Sequence, residues 1–356
     1  MSALLLAALL STPARFSVTF INIGEPAAFW NVFADVSRAA AQKLDIDLEV
    51  LDARGDHLRM IELAKEVAAR PHKPDYALIN NEKGAAGRML EPLASAGIPT
   101  LLIMSVFDVA EEKKYGKPRE RWPAYLGTLR PDHAAAGAAI AEALIAEGHA
   151  RFAGAPLPML AISGARATFA AAERDKGLER TVEGAPGVQL QQLVHSNWQR
   201  DKAHRQLAGL LRRWPSTRLI WAANDPMALG AADAVRERGQ APGRDVLVAG
   251  LNLGTEALHA VEQGELVASV GGHFLGGAWA LVLLRDHHDG LDFRDEGLEQ
   301  VFPMGVIDRG NVAPWLAQFG DQRWDRIDFA RFSRSLNPAL QRHEFTLSRV
   351  LEQFAR

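Results

Sequence analysis

Two kinds of chemistry-bearing residues recur along the chain. Phe29 and Trp30, Asn80 with Asn81 and Glu82, Asn224 with Asp225, Asn252, and His273 each follow a short apolar run. Amides and carboxylates offer paired donors and acceptors at fixed spacing, which suits vicinal hydroxyls, and flat aromatic faces pack against the C–H faces of a sugar ring. This is a binding constellation rather than a reactive one. Taken singly, each residue reads as a loop cap or a core aromatic. The argument rests on their joint recurrence.

The second kind is the run Asp286-His287-His288-Asp289, whose residue types suit zinc or manganese. It follows the apolar stretch 278–284 and precedes Gly290, so a polar helix end with histidines near its C-terminus is the favoured reading. Enzymatic motifs are absent: there is no G-x-x-x-x-G-K-[ST], no G-x-G-x-x-G after the first strand, no G-x-S-x-G and no H-E-x-x-H. The chain has no Cys, which removes disulfide scaffolds, thiolate metal sites and a Cys nucleophile. No catalytic residue, cofactor or resident metal is expected.

The elements that must position the first set alternate. Short β-branched or apolar runs at 17–23, 48–51, 76–79, 100–103, 160–162, 188–194, 219–221, 246–248 and 266–270 predict strands, and helix-length segments at 32–44, 58–69, 134–146, 199–213 and 227–238 lie between them. Strand alternating with helix predicts parallel sheets with crossover helices. Two groups of strands with a break around 129–132, in a chain of 356 residues, predict two α/β lobes rather than one oversized sheet. In open parallel sheets ligands sit beyond the carboxyl ends of the strands, where the chemistry-bearing residues fall. Loop signals at 24–26, 80–84, 224–226 and 252–254 mark those ends.

Both ends of the chain differ from this pattern. Residues 3–10 are apolar and uncharged, and Ser11-Thr12-Pro13-Ala14 follows with small residues, so 1–14 reads as an export signal cleaved after Ala14, although no Lys or Arg precedes the apolar run. From 311 to 356 the strands stop, and Trp315, Phe319, Trp324, Phe329, Phe332 and Phe345 predict anchors that pin a helical tail to the body. With 40 Lys+Arg against 43 Asp+Glu, no basic surface for nucleic acid or membrane is expected. With 48% hydrophobic and 23% charged residues, two folded cores are affordable.

The segment Ala222-Ala223-Asn224-Asp225-Pro226-Met227-Ala228-Leu229-Gly230-Ala231 is the most specific motif in the chain. With Val248-Ala249-Gly250-Leu251-Asn252 and Val261-Glu262-Gln263-Gly264-Glu265-Leu266-Val267-Ala268-Ser269-Val270, it resembles the C-terminal half of type I periplasmic sugar-binding proteins. The likeness covers about 16–309 and extends to the ligand-binding domains of the lactose-repressor family and, more distantly, to autoinducer-binding periplasmic receptors. It implies two Rossmann-like lobes joined by a three-crossing hinge. It also implies site residues: Phe29-Trp30 match the aromatic pair after the first strand, and Arg174 in Arg174-Asp175-Lys176-Gly177-Leu178 matches an Arg-x-x-Gly-Phe whose Arg binds hydroxyls or ring oxygen. Trp198 matches an aromatic after the next strand, Asn224 a hydroxyl-binding Asn, and Gly272 or His273 a position that often holds Gln. Two positions depart from the pattern. Met104-Ser105 stand where ribose-type members carry Asp-Arg, and Asn252 where Asp is usual, which removes two charged hydroxyl partners and allows a modified sugar, a less hydroxylated ligand or a signal molecule.

The resemblance predicts an N-terminal lobe of 15–128 and 272–303, a C-terminal lobe of 129–271 and 304–310 with a late strand near 304–307, and a tail of 311–356. The expected protein is a monomeric, non-catalytic periplasmic binder that closes its lobes over a sugar-like small molecule and delivers it to an ABC permease. The alternative is a sensing subunit of a membrane receptor.

Overall fold

The computed structural model describes residues 15–24 and 28–354; the expected signal at 1–14 and residues 25–27 of the first loop lie outside the described residues. Twelve strands appear there: β1 (Phe16–Asn22), β2 (Ile46–Asp52), β3 (Tyr76–Asn80), β4 (Thr100–Ile103), β5 (Tyr125–Pro131), β6 (Leu157–Ser163), β7 (Val188–His195), β8 (Leu219–Ala222), β9 (Leu247–Leu251), β10 (Ala268–Gly271), β11 (Glu299–Phe302) and β12 (Gly305–Asp308). The helices are α1 (Ala28–Lys43), α2 (His57–Ala68), α3 (Ala86–Ser95), α4 (Val109–Tyr115), α5 (His133–Arg151), α6 (Phe169–Glu183), α7 (Arg200–Arg213), α8 (Asp225–Glu237), α9 (Thr255–Gln263), α10 (Gly276–His288), α11 (Val312–Phe319) and α12 (Leu347–Glu352). Every strand and helix expected from the sequence overlaps one of these.

The strands form two six-stranded sheets, in the orders β11-β5-β4-β3-β1-β2 and β12-β10-β9-β8-β6-β7. All pairings are parallel except β10 with β12. This is the two-lobed α/β architecture expected. The chain passes between the sheets three times, at 131–133, 271–273 and 302–305.

Two strands escaped the sequence reading. β5 runs through Pro131, where a break was expected, because β11 returns to pair with it: Thr128 lies opposite Glu299 and Pro131 opposite Phe302. Pro131 is the last residue of the strand, where the ladder ends. Residues 129–131 therefore belong to the first sheet. β11 itself is short and half exposed, so it lacks the apolar run that marks its neighbours.

The apolar core forms two clusters. One cluster runs through both lobes and includes Phe20, Phe33, Trp221, Trp279 and Phe302; a second, with Ile21, Ile79, Met89 and Leu102, fills the other face of the first sheet. The tail is anchored as expected. Trp315, Phe319 and Trp324 are buried, with the Trp324 ring 5.1 Å from Phe274, and Phe332 and Phe345 lie 4.6 and 5.1 Å from Trp279. Because α11 packs on α9 of the second lobe while Trp279 sits in α10, which packs on α1 of the first, the tail spans both lobes.

Candidate ligand-binding site

The site is assembled at the carboxyl ends of β1, β3 and β4 and at the first two crossings. α5 starts immediately after β5, with the Asp132 carboxylate accepting from the Ala135 amide at 2.9 Å. This cap places His133 on the first turn, where it is 2% exposed. α6 lies against α5 with no room for side chains between them: a Cβ on Gly137 would stand 2.1 Å from the Arg174 carbonyl oxygen, and one on Gly177 2.0 Å from the Ala134 carbonyl oxygen. That close approach sets Arg174, one turn before Gly177, beside His133.

Arg174 is 3% exposed and donates from Nη1 to the Ala223 carbonyl at 2.7 Å. Its guanidinium carbon is 5.5 Å from the centroid of the Trp198 ring, within cation–π range. Trp198 sits at φ 66° and lies flat over Gly164, where a Cβ would come within 2.1 Å of the ring. Burial lowers the Arg174 pKa to about 9, against the pull of Asp175 and Asp225.

His273 follows the second crossing and stacks on Phe29, with ring centroids 4.5 Å apart and planes 17° from parallel. Trp30 meets Phe29 edge-on at 5.2 Å; both are half-buried. Burial first, and the Arg174 charge second, hold the pKa values of His133 and His273 well below the ordinary histidine range; a hydrogen bond with the Met104 backbone opposes this at His133. Both imidazoles are neutral at pH 7.

Five buried polar atoms in this region find no hydrogen-bond partner among the described residues: Asn22 Oδ1, Asn80 Oδ1, His133 Nδ1, Arg174 Nε and His273 Nδ1. Each parent residue is at most 3% exposed. Buried polar groups are almost always paired, and leaving one unpaired costs roughly 1–3 kcal/mol. Five together mark a place built to hold something polar. Asn22 and Asn80 end the adjacent strands β1 and β3, and Ile103, opposite Asn80, leads into Met104, whose backbone contacts His133.

The other expected residues lie in or beside the surrounding loops. Asn81 donates to the Val106 carbonyl and the Glu111 carboxylate and accepts from the Ala86 amide, so it braces the loop before α3. Asn224 caps α8, accepting from the Met227 amide at 2.9 Å and donating to the Trp198 carbonyl at 3.2 Å; it positions the aromatic. Asp225 accepts from the Gly254 amide and the Ser269 hydroxyl, each at 2.8 Å, and burial pushes its pKa up to about 6. It ties the loop after β9 to β10. Asn252 is half-buried at φ 147° in that loop. Glu82 is half-buried in a short turn; burial raises its pKa, opposed by Lys83 and His57.

The histidine run disperses. Asp286 accepts from Ser333, Ser335, Arg334 and His343 of the tail. His287 meets the Tyr76 hydroxyl at 3.0 Å, His288 stacks on Phe16 at 4.2 Å, and Asp289 pairs with Arg285. Among the described residues no three His, Asp or Glu side chains group as metal ligands.

Asn22 and His133 were not among the residues expected from the sequence. Each had a signal, being the residue at or just after a strand end, but β5 was not recognised and Asn22 counts as part of its strand. Two open cavities lie elsewhere, one of about 470 Å³ between the third crossing and the tail, beside Phe302 and Phe345, and one of about 200 Å³ beside Arg130 and Phe169. With its five residues at most 3% exposed, the polar cluster is enclosed rather than open.

A family model described as a periplasmic binding protein domain matches residues 18–290. The crystal structure of a periplasmic sugar-binding protein from Pseudomonas fluorescens is 34% identical, with a TM-score of 0.84 over 94% of this chain and 99% of that one. The galactofuranose-binding protein YtfQ of Escherichia coli (strain K12) is 23% identical over 262 residues, covering 72% of this chain and 77% of its own. The ribose import binding protein RbsB of the same organism is 24% identical over 243 residues, covering 68% and 74%. With the family match running through both sheets and the Pseudomonas structure following nearly the whole chain, this protein belongs to the periplasmic binding protein family.

Proposed function

We propose that this protein binds a saccharide between its lobes and hands it to an ABC permease without chemically altering it. The observation that carries the reading is the set of five unpartnered buried polar atoms, contributed by Asn22 and Asn80 of the first lobe, His133 and His273 at the crossings and Arg174 of the second lobe, with His273 stacked on Phe29 of the Phe29–Trp30 pair. Four of them, the two Asn carbonyls and the two imidazole nitrogens, are able to accept from hydroxyls, and Arg174 Nε donates. The rings supply apolar walls for the C–H face of a sugar. Phe29, Trp30, Asn22, Asn80, His133, Arg174, Trp198 and His273 form the contact set; Asn81, Asn224, Asp225, Asn252 and Glu82 shape the loops around it.

Relatives named for galactofuranose binding and ribose import favour transport over sensing. The lobes pivot at the three crossings, the first lobe carrying 15–131 and 272–303 and the second 132–271 and 304–310. The protein acts as a monomer in the periplasm, delivered there by the segment at 1–14. A thermal-shift screen over pentoses, hexoses, furanosides and polyols tests this: a ligand at 100 times its Kd adds about 2.7 kcal/mol of stability. A flat response across all four classes would overturn the saccharide reading.

A further inference from the structure

We propose, resting on that reading, that the saccharide is an acid: its hydroxyls meet Asn22 and Asn80, and its carboxylate sits among Arg174, His133 and His273. The two sides of the site differ in kind. Asn22 and Asn80 on the first sheet are neutral amides whose carbonyl oxygens lack partners. Across from them stands a guanidinium, buried to 3% exposure, that no carboxylate of the described residues hydrogen-bonds.

Its nearest carboxylates are engaged elsewhere. Asp175 accepts from the Ser163 hydroxyl at 2.6 Å, and Asp225 from Gly254 and Ser269. A buried cation without a hydrogen-bonded counter-ion is costly, and an anion delivered by the ligand removes that cost. Nε is one of the donors of the guanidinium edge that grips a carboxylate in a two-pronged bond.

The two histidines fit the same ligand. Neutral in the closed protein, each is able to present an N–H toward an anion. The family resemblance leads one to expect a carboxylate where Asn252 stands, which would repel an acid; Met104-Ser105 replace an Asp-Arg pair without net charge. Glu82, just after β3, feels Lys83 and His57 rather than Arg174. A single guanidinium matches a monoanion, which selects a carboxylate over a phosphate.

Isothermal titration at pH 7 with matched pairs tests this: D-galactose and D-galacturonate, D-glucose and D-gluconate, D-ribose and D-ribonate, with D-ribose 5-phosphate alongside. At least one acid is expected to bind about tenfold or more tightly than its neutral partner, and Arg174→Gln to erase most of that preference. His273→Gln is expected to narrow it as well, and serves if Arg174→Gln does not fold. Neutral sugars binding as tightly as their acids would overturn the acid inference and leave saccharide binding standing. A preference for the phosphate would overturn the carboxylate assignment, and an acid preference that survives both substitutions would overturn the assignment to these residues. Silence across the whole panel would remove both readings together.

Discussion

Gly177 of α6 faces Ala134 of α5 so closely that a Cβ on it would stand 2.0 Å from the Ala134 carbonyl oxygen. The contact is backbone to backbone, so no side chain is free to swing aside. Gly177→Ala would gain about 1 kcal/mol from helix propensity. Overpacking at such a contact costs about 1–3 kcal/mol, and the opposing carbonyl belongs to a helix that is itself packed on the second sheet. We expect net destabilisation in urea unfolding together with weaker ligand binding, because α6 carries Arg174. A midpoint at or above wild type would show that the helices part freely.

Arg174→Ala is expected to weaken binding of the best saccharide from the thermal screen by about 2–4 kcal/mol, the range for losing a buried charge-assisted partner. Trp198→Ala should weaken it by a smaller margin, since the ring walls the site and stacks on the guanidinium without a directed hydrogen bond. Calorimetry on both variants, with melts of the ligand-free proteins, separates affinity from folding. Equal affinities in Arg174→Ala and wild type would move the site.

His133 and His273 make the closed protein sensitive to acid. Their pKa values in the folded protein lie well below 6.5, so below about that pH the unfolded chain takes up protons that the folded one refuses, and stability falls. Asp225 acts in the opposite sense: its pKa, pushed up to about 6 from 3.8, adds stability as pH falls through that value. The histidine contribution is therefore read as a difference. From pH 7 to 5 the wild type should lose more stability than the His133→Gln/His273→Gln double variant. Parallel pH profiles would mean that the imidazoles are protonated without penalty.

Asp286 holds the tail. Burial alone would raise its pKa, but hydrogen bonds from His343, Ser333, Ser335 and Arg334 outweigh that and keep it below the ordinary value. Asp286→Ala strands these donors inside the protein, at a cost on the order of 3–5 kcal/mol. Limited proteolysis should then cut within 311–354 while the two lobes stay intact. A tail that resists protease in this variant would show that the aromatic anchors on Trp279 and Phe274 suffice.

Much of this was legible in the sequence, and the gaps have physical causes. Buried parallel strands announce themselves as apolar runs, so the strands of both sheets were found except β5, which carries Gly127 and Pro131, and β11, which is half exposed. The functional loops were found because they follow those runs. What a sequence does not display is which atoms of a side chain are already engaged. Asn80 and Asn81 are adjacent amides at one strand end, yet Asn81 braces three partners while the Asn80 carbonyl is left without one. Asn224 was read as a ligand contact and stands as a helix cap beneath Trp198. His133 went unread because its strand did, whereas the divergence of His287 and His288 to Tyr76 and Phe16 depended on contacts from β1 and β3, far away in the chain.

Pro303 and Met304 alone separate β11 from β12, yet those strands complete different sheets. During synthesis the first lobe therefore waits: β5 keeps an unpaired edge until the whole of the second lobe has been made and β11 arrives. An open strand edge is a template for wrong partners. The lobes cannot mature one after the other like beads on a string; each is finished by the same short stretch of late chain, so a truncation before residue 299 leaves both incomplete rather than one.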